Sequence, residues 1–241
     1  MLPDMISAQP WREKCLDITK SRFGNAHPDI ATSLNNLAEL YRSQGRYTEA
    51  EPLYKDALEM YKQLLGSAHP DIATSLNSLA GLYDSQGRYT EAEPLYKDAL
   101  EMYKQLLGSA HPDIATSLNN LAGLYDSQGR YTEAEPLYKD ALEMRKQLLG
   151  PAHPDIATSL NNLALLYYSQ GRYTEAELLY KDALTILFSQ LGQEHPNTKT
   201  GWRNYLYFLQ QVVNENRQGE LSDERSLQII SKLLSGLTHG Y

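Results

Sequence analysis

The chain has 241 residues and a net charge of −8, with acids and bases interleaved along its length. That balance argues against a nucleic-acid partner, whose phosphates demand a basic surface. The single cysteine, Cys15, rules out an internal disulfide and fits a reducing compartment. No apolar run approaches the roughly 18 residues of a membrane span. The opening MLPDMISAQPW lacks the basic and apolar regions of a signal peptide, so the expected location is the cytoplasm.

The first 26 residues take their meaning from those that follow. Counting back one repeat from Pro52 reaches Pro10, and Gly24 falls under Gly66. PWREKCLDITKSRFG therefore reads as the second half of a repeat, with Trp11, Cys15, Leu16, Ile18 and Phe23 at apolar or small places. At His27 begins HPDIATSLNNLAELYRSQGRYTEAEPLYKDALEMYKQLLG, and it begins again at His69, His111 and His153. The period is 42 residues, giving repeats 27–68, 69–110, 111–152 and 153–194. The copies from His69 and His111 differ only at Ser78/Asn120, Tyr103/Arg145 and Ser109/Pro151. A globular core needs a different residue at nearly every buried site. A stack reuses one solution, because each repeat meets only its neighbours.

Within a repeat, Ile30, Leu34, Leu37, Ala38, Leu40 and Tyr41 fall at helical spacing. Pro28 suits the first turn and Asp29 meets the positive end of the helix dipole. SQGR ends this helix A at Gly45. A helix B follows, carrying Ala50, Leu53, Tyr54, Ala57, Leu58, Tyr61 and Leu65, and Gly66 ends it. Pro52 lies inside helix B, where a bend or an irregular first turn is expected. The architecture predicted is an all-α, α-α superhelix of antiparallel helix pairs. After His195 the GRYTEA continuation is missing, so 195–220 is expected to be an atypical capping helix. Residues 221–241 then supply one more amphipathic helix, with Ser222 as its N-cap, and a tail.

The text LNNLAxLYxSQGRYTEAEPLYKDAL resembles the tetratricopeptide repeat. Leu34, Leu37, Ala38, Tyr41, Ala50, Tyr54 and Ala57 fill the family's places in order. The 42-residue period and the HPDIATSLNNLA opening resemble the kinesin light chain subtype, and the likeness runs from Pro10 to about Phe208. It implies a protein- or peptide-binding scaffold that holds an extended partner segment on a concave face of A helices. The alternative is a spacer or self-assembly element, possibly a piece of a larger multidomain protein.

Beside its apolar stripe, helix A carries Thr32, Asn35, Asn36, Glu39, Arg42 and Ser43 on one face. In the family this is the ligand-facing side. The Thr and first Asn repeat without change, the latter as Asn35, Asn77, Asn119 and Asn161. The second is Asn36, Ser78, Asn120 and Asn162; the resemblance gives this position ligand contacts, and Ser78 departs from it. An amide has two donors and two acceptor sites, so such a ladder can hold a peptide backbone. It can equally tie neighbouring helices together. The positions that change are Glu39/Gly81/Gly123/Leu165 and Arg42/Asp84/Asp126/Tyr168. Glycine in mid-helix makes room, either for a neighbouring helix or for a ligand. Asp84 and Asp126 favour a neutral or basic segment, and Leu165, Tyr167 and Tyr168 give the stripe an apolar end.

His27, His69, His111, His153 and His195 lie one per repeat, too far apart for one metal, and read as turn and capping residues. No catalytic residue, cofactor or metal is expected. Weak end-to-end self-association is the remaining expectation, because the two caps are thin.

Overall fold

A computed structural model describes residues 3–237 of the chain, with side chains from 9 to 231. Eleven α-helices follow one another: α1 (Pro3–Phe23), α2 (Pro28–Ser43), α3 (Tyr47–Leu65), α4 (Pro70–Ser85), α5 (Tyr89–Leu107), α6 (Pro112–Ser127), α7 (Tyr131–Leu149), α8 (Pro154–Ser169), α9 (Tyr173–Leu191), α10 (Pro196–Asn214) and α11 (Glu224–Leu237). A 3₁₀ turn, Gln218–Glu220, precedes α11, and no strand occurs among the described residues. Even-numbered helices are the A helices and α1 to α9 of odd number are the B helices. The chain divides into two compact units, Met1–Leu124 and Tyr125–Tyr241. In the first, α1 packs on α2, α2 on α3, α3 on α4 and α4 on α5. In the second, α7, α8, α9, α10 and α11 pack each on the next. No helix of the described residues is long and apolar enough to cross a membrane.

The ends of the helices are written in the repeat. The histidine that opens each repeat caps its helix: His27 is extended at φ −149°, and its Nδ1 accepts the backbone N–H of Asp29 at 3.2 Å. Proline follows at the position whose N–H has no helical partner. The other end of helix A closes in a Schellman turn. Arg46 N–H donates to Tyr41 O at 2.9 Å and Gly45 N–H to Arg42 O at 3.0 Å, with Gly45 at φ +74°. Only glycine takes that conformation without cost. Pro52 does not divide α3, which runs unbroken from Tyr47. The proline is exposed and near enough to the start to forfeit a single bond.

Small residues set the distance between helices. Ala38, Ala50 and Ala57 are wholly buried, and Tyr54, also wholly buried, fills the space they leave. Leu34, Leu37, Tyr41 and Leu58 close the core around them. Burying each large side chain contributes about 1.5–3 kcal/mol, and the term recurs in every repeat.

Neighbouring repeats are stapled by one polar constellation. Arg88 lies 4.0 Å from the centre of the Tyr83 ring and donates to Glu51 of the preceding repeat at 2.7 Å. Tyr83 Oη donates to the same carboxylate at 3.2 Å. In the second unit Arg172 lies 3.6 Å from the Tyr167 ring centre, and both reach Glu135, at 2.9 and 3.1 Å. The α1 helix plays the part of a B helix here. Gln9 stands in the glutamate's place and accepts from Arg46 at 2.8 Å, while Glu13 accepts from Tyr41 at 3.0 Å. Leu16 of α1 is buried, whereas Trp11 and Ile18 remain 67% and 55% exposed, with no described helix over them. Cys15 is half-buried.

The fourth glutamate of the series, Glu177, meets no further arginine. It is fully buried and accepts from the backbone N–H and hydroxyl of Ser222, at 2.8 and 3.0 Å. Lys181 turns to Asp223. Ser222 is thus spent on α9 and does not cap α11. Asp223 Oδ1 takes the Arg225 N–H at 2.7 Å, so the cap falls one residue later than expected. Tyr205 Oη and Ser226 Oγ, 2.6 Å apart, fasten α10 to α11.

The staple yields a prediction. Hydrogen bonds from Arg88 and Lys55 hold the Glu51 pKa down to about 2. A carboxylate whose folded pKa is depressed contributes stability above its unfolded value, about 4.3, and loses it as pH falls through the folded one. Glu51→Gln should therefore cost about 1–2 kcal/mol at pH 7. The difference from wild type should shrink steadily below pH 4 and be nearly gone by about pH 2. Urea melts of both proteins at several pH values measure this; a gap that persists unchanged at low pH rejects the charged staple.

Candidate functional site

The A-helix face in the first unit is built first by ties between helices. Asn35 Nδ2 donates to Ser75 Oγ at 2.8 Å, and Asn77 Nδ2 to Ser117 Oγ at 2.7 Å. Both serines are wholly buried. Asn35 and Asn77 therefore join consecutive A helices, and Oδ1 of each is buried without a partner among the described residues. The repeated threonine is similarly occupied. Thr32 Oγ1 lies 2.7 Å from Tyr61 Oη, and Thr74 Oγ1 lies 2.6 Å from Tyr103 Oη.

Between these ties opens a polar pocket of about 350 Å³. One end is the Glu39–Arg42 pair, joined by two bonds of 2.7 and 3.0 Å, with Tyr54 Oη donating to Glu39 at 2.7 Å. Burial works against the Glu39 charge, but the bonds from Arg42 and Tyr54 outweigh it and lower its pKa. Arg42 also reaches forward to Gly81 O at 3.3 Å and Ser85 Oγ at 3.4 Å. A Cβ on Gly81 would stand 3.2 Å from Arg42 Nη1 and 3.4 Å from Tyr96 Oη. The room made by Gly81 is thus filled by the neighbouring repeat's arginine. Asn77, Ser78 and Tyr103 form a wall, and Asp113, Thr116 and Asn120 the far end. Asn120 has no hydrogen-bond partner for its amide among the described residues, and Asn36 is exposed. Asp84 is half-buried; desolvation raises its pKa, against the pull of Arg42.

In the second unit, Asp126 is half-buried and its pKa is raised by desolvation alone. Asn161 and Asn162 are half-buried, and Leu165 is 45% exposed. Asn119 of α6 and Asn162 each engage a neighbour. The apolar end expected from Leu165, Tyr167 and Tyr168 does not form as one patch. Tyr167 lies in the core beneath Arg172. Tyr168 donates to Glu215 at 2.9 Å and meets Phe208 edge-on at 5.9 Å. Burial and Glu215 push its pKa up to about 12. Like Arg42, Tyr168 reaches the following A helix, which makes this position a seam. Arg145, in the place of Tyr61 and Tyr103, turns instead to Ser159 Oγ at 2.7 Å and Asp155 O at 3.4 Å. Burial lowers its pKa against the attraction of Asp155.

The sequence reading ended the stripe at the fourth repeat. Yet α10 continues it, placing Thr200, Asn204 and Tyr207 one period after Thr158, Asn162 and Leu165. Tyr207 is 60% exposed. The 42-residue register alone would have found them.

Each N-cap histidine spends its Nδ1 on a backbone N–H. No group of three or more His, Cys, Asp or Glu among the described residues is placed to hold a metal. What the face offers is hydrogen-bonding and charged surface carried on helices.

No curated protein matches the chain. Among solved structures, BtubC (BKLC) from P. vanneervenii is similar at a TM-score of 0.71 and 25% identity, over 98% of this chain and 91% of that one. The nearly identical TPR-like repeats of a Podosopora anserina protein described as a kinesin light chain give 0.68 and 26%, over 88% and 99%. A variant of those repeats with a single substitution gives 0.67 and 26%, over 89% and 99%. The tetratricopeptide repeat model matches residues 4–63, 29–105, 71–147 and 113–187. With its capped antiparallel helix pairs and the repeat signature in register from end to end of those matches, the chain belongs to the tetratricopeptide repeat family, in a form related to kinesin light chain-like repeats.

Proposed function

We propose that the protein is an adaptor whose A-helix face holds an extended, neutral or basic segment of a partner protein in the cytoplasm. A tetratricopeptide scaffold of this kind binds proteins or peptides; the face, the charge of the ligand and the compartment are the added reading. It rests on one observation. In the first unit, on a face otherwise tied up by Asn–Ser and Thr–Tyr bonds, Asn120 and the carboxylate of Asp84 have no hydrogen-bond or salt-bridge partner among the described residues; in the second, taken by itself, the carboxylate of Asp126 has none either. A half-buried carboxylate that no cation bonds is costly; Arg42 offsets this only in part at Asp84 and nothing does at Asp126, and a lysine or arginine from a ligand would relieve both. Asn120 would bond the ligand backbone without reading its sequence.

Asn120→Ala should weaken peptide binding about ten- to a hundredfold, the effect of a roughly 1–3 kcal/mol unpaired polar group. Asp84→Lys with Asp126→Lys should shift selection on a peptide array from basic toward acidic sequences. Peptides retained equally by wild type and both variants would remove the face as the site and favour a spacer or self-assembly element.

The same carboxylates give a stability test. Their folded pKa values are raised, so each ionised form is disfavoured by the fold, and the stability it contributes is lost as pH rises through the folded value. Asp84→Asn with Asp126→Asn should then leave the Tm at pH 7 unchanged or raised while weakening binding of lysine-containing peptides. Calorimetry and fluorescence anisotropy measure the two; a lowered Tm with unaltered binding would mark the aspartates as structural.

A further inference from the structure

The rung between α8 and α10 is built differently from the others. In the first unit an asparagine amide is closed by a serine of the next A helix, Asn35 by Ser75 and Asn77 by Ser117. The same places one step on are Asn161 and Gly201. The threonine is closed by a tyrosine of its own B helix, Thr32 by Tyr61 and Thr74 by Tyr103. The same places here are Thr158 and Leu187. These two exchanges are coupled. A Cβ on residue 201 would come within 2.7 Å of Leu187 Cδ1, so the leucine occupies the room that the glycine leaves.

Together they delete two hydroxyls from one spot. Thr158 and Asn161 keep their places in the stripe, but neither has a hydrogen-bond partner among the described residues: Asn161 Oδ1 is buried without one, as in Asn35 and Asn77, and here Nδ2 also lacks the serine that receives it in the first unit. Both line a cavity of about 200 Å³ with Thr200 and Asn204, over a floor of Leu187 and Gly201. No charged side chain lines it. Just beyond, one helical turn along from Asn162 and Asn204, stand the exposed Leu165 and Tyr207.

We propose that this cavity is a carboxamide subsite, which takes the side chain of an asparagine or glutamine from the bound segment while the residue two places on rests against Leu165 and Tyr207. The inference rests on the peptide-binding reading above and names what this step selects. An amide presents a donor and an acceptor side by side, the complement of Asn161 and Thr158. Rotation about the last torsion of Asn161 offers either its oxygen or its nitrogen to the entering group. A carboxylate brings no donor for Oδ1 and finds no cation. An ammonium brings no acceptor for the amide nitrogen and finds no carboxylate. An alkyl group leaves the half-buried Asn161 amide unpaired, and a site built to hydrogen-bond rejects such an analogue. Alternate side chains of an extended segment lie about 7 Å apart on one side, which sets the two-residue spacing to the apolar shelf.

The test is an array of peptides with cores Asn-x-Leu, Gln-x-Leu, Asp-x-Leu and Ala-x-Leu, probed with the full chain and followed by anisotropy on the strongest spots. Asn and Gln cores should bind about tenfold more tightly than Asp and Ala cores. Gly201→Ser should abolish the preference, because the serine hydroxyl closes Asn161 as Ser75 closes Asn35. Its Tm should hold, since the atom that must yield is the far end of Leu187. Asn161→Ala, which adds no atom, should abolish the preference as well. Equal binding of all four cores, or a preference that survives both variants, overturns the subsite alone if binding still depends on Asp84, Asp126 or Asn120. Failure of the chain to bind any peptide overturns the subsite and the adaptor reading together.

Discussion

Each repeat must bury the face that the repeat before it presents, and it must present the same face to the next. This self-complementarity governs nearly every residue that does not vary. The alanines at 38, 50 and 57 keep the helices close, and a larger residue at any of them would displace a neighbour that has nowhere to relax. The Arg–Tyr–Glu staple satisfies the same demand with polar atoms. The arginine lies on its own repeat's tyrosine and reaches the previous repeat's glutamate, so one rule applied once per repeat joins successive pairs within each unit. Where the series stops, the rule adapts. Gln9 substitutes for the glutamate on α1, and Glu177 holds Ser222 in place of an arginine.

The same demand explains where variation is tolerated. Some changes fall on the B helix and the loop after it, as at Tyr103/Arg145 and Ser109/Pro151; those on the A-helix face are not all of one kind. Arg42 and Tyr168 reach to the following A helix, and their neighbours are fitted to them: Gly81 yields room to Arg42, and Phe208 and Glu215 receive Tyr168. These changes are paired across a seam. Asp84 and Asp126 are too short to make that reach. They remain half-buried with pKa values raised by desolvation, a charge placed at some cost to the fold. Residues that oppose stability and have no packing reason are where a binding function is most economically sought.

The polar ladder divides in the same way. From the sequence, both asparagine positions lie on one face, and only the resemblance gives the second of them ligand contacts. In the structure the first is drawn inward to a buried serine and the second is left outward, because helical geometry turns consecutive residues about 100° apart. At Asn161 the inward partner is missing, because Gly201 stands where Ser75 and Ser117 stand in the rungs before.

What the sequence by itself determined was the repeat and everything that follows from repetition. The period, the capping histidine and proline, the glycine turns, the alanine–tyrosine core and the all-α helix pairs were legible because each depends on neighbours a few residues away or on a fixed place one period away. The cap at Asp223 was missed because Glu177, forty-five residues earlier, claims Ser222. The continuation of the stripe into Thr200, Asn204 and Tyr207 was missed although the register contained it. Only the tertiary structure decided which polar side chains are spent on packing and which remain open. Spacing places a side chain on a face, but whether its hydrogen bonds are satisfied depends on where a second helix brings a serine, a tyrosine or a glycine to meet it.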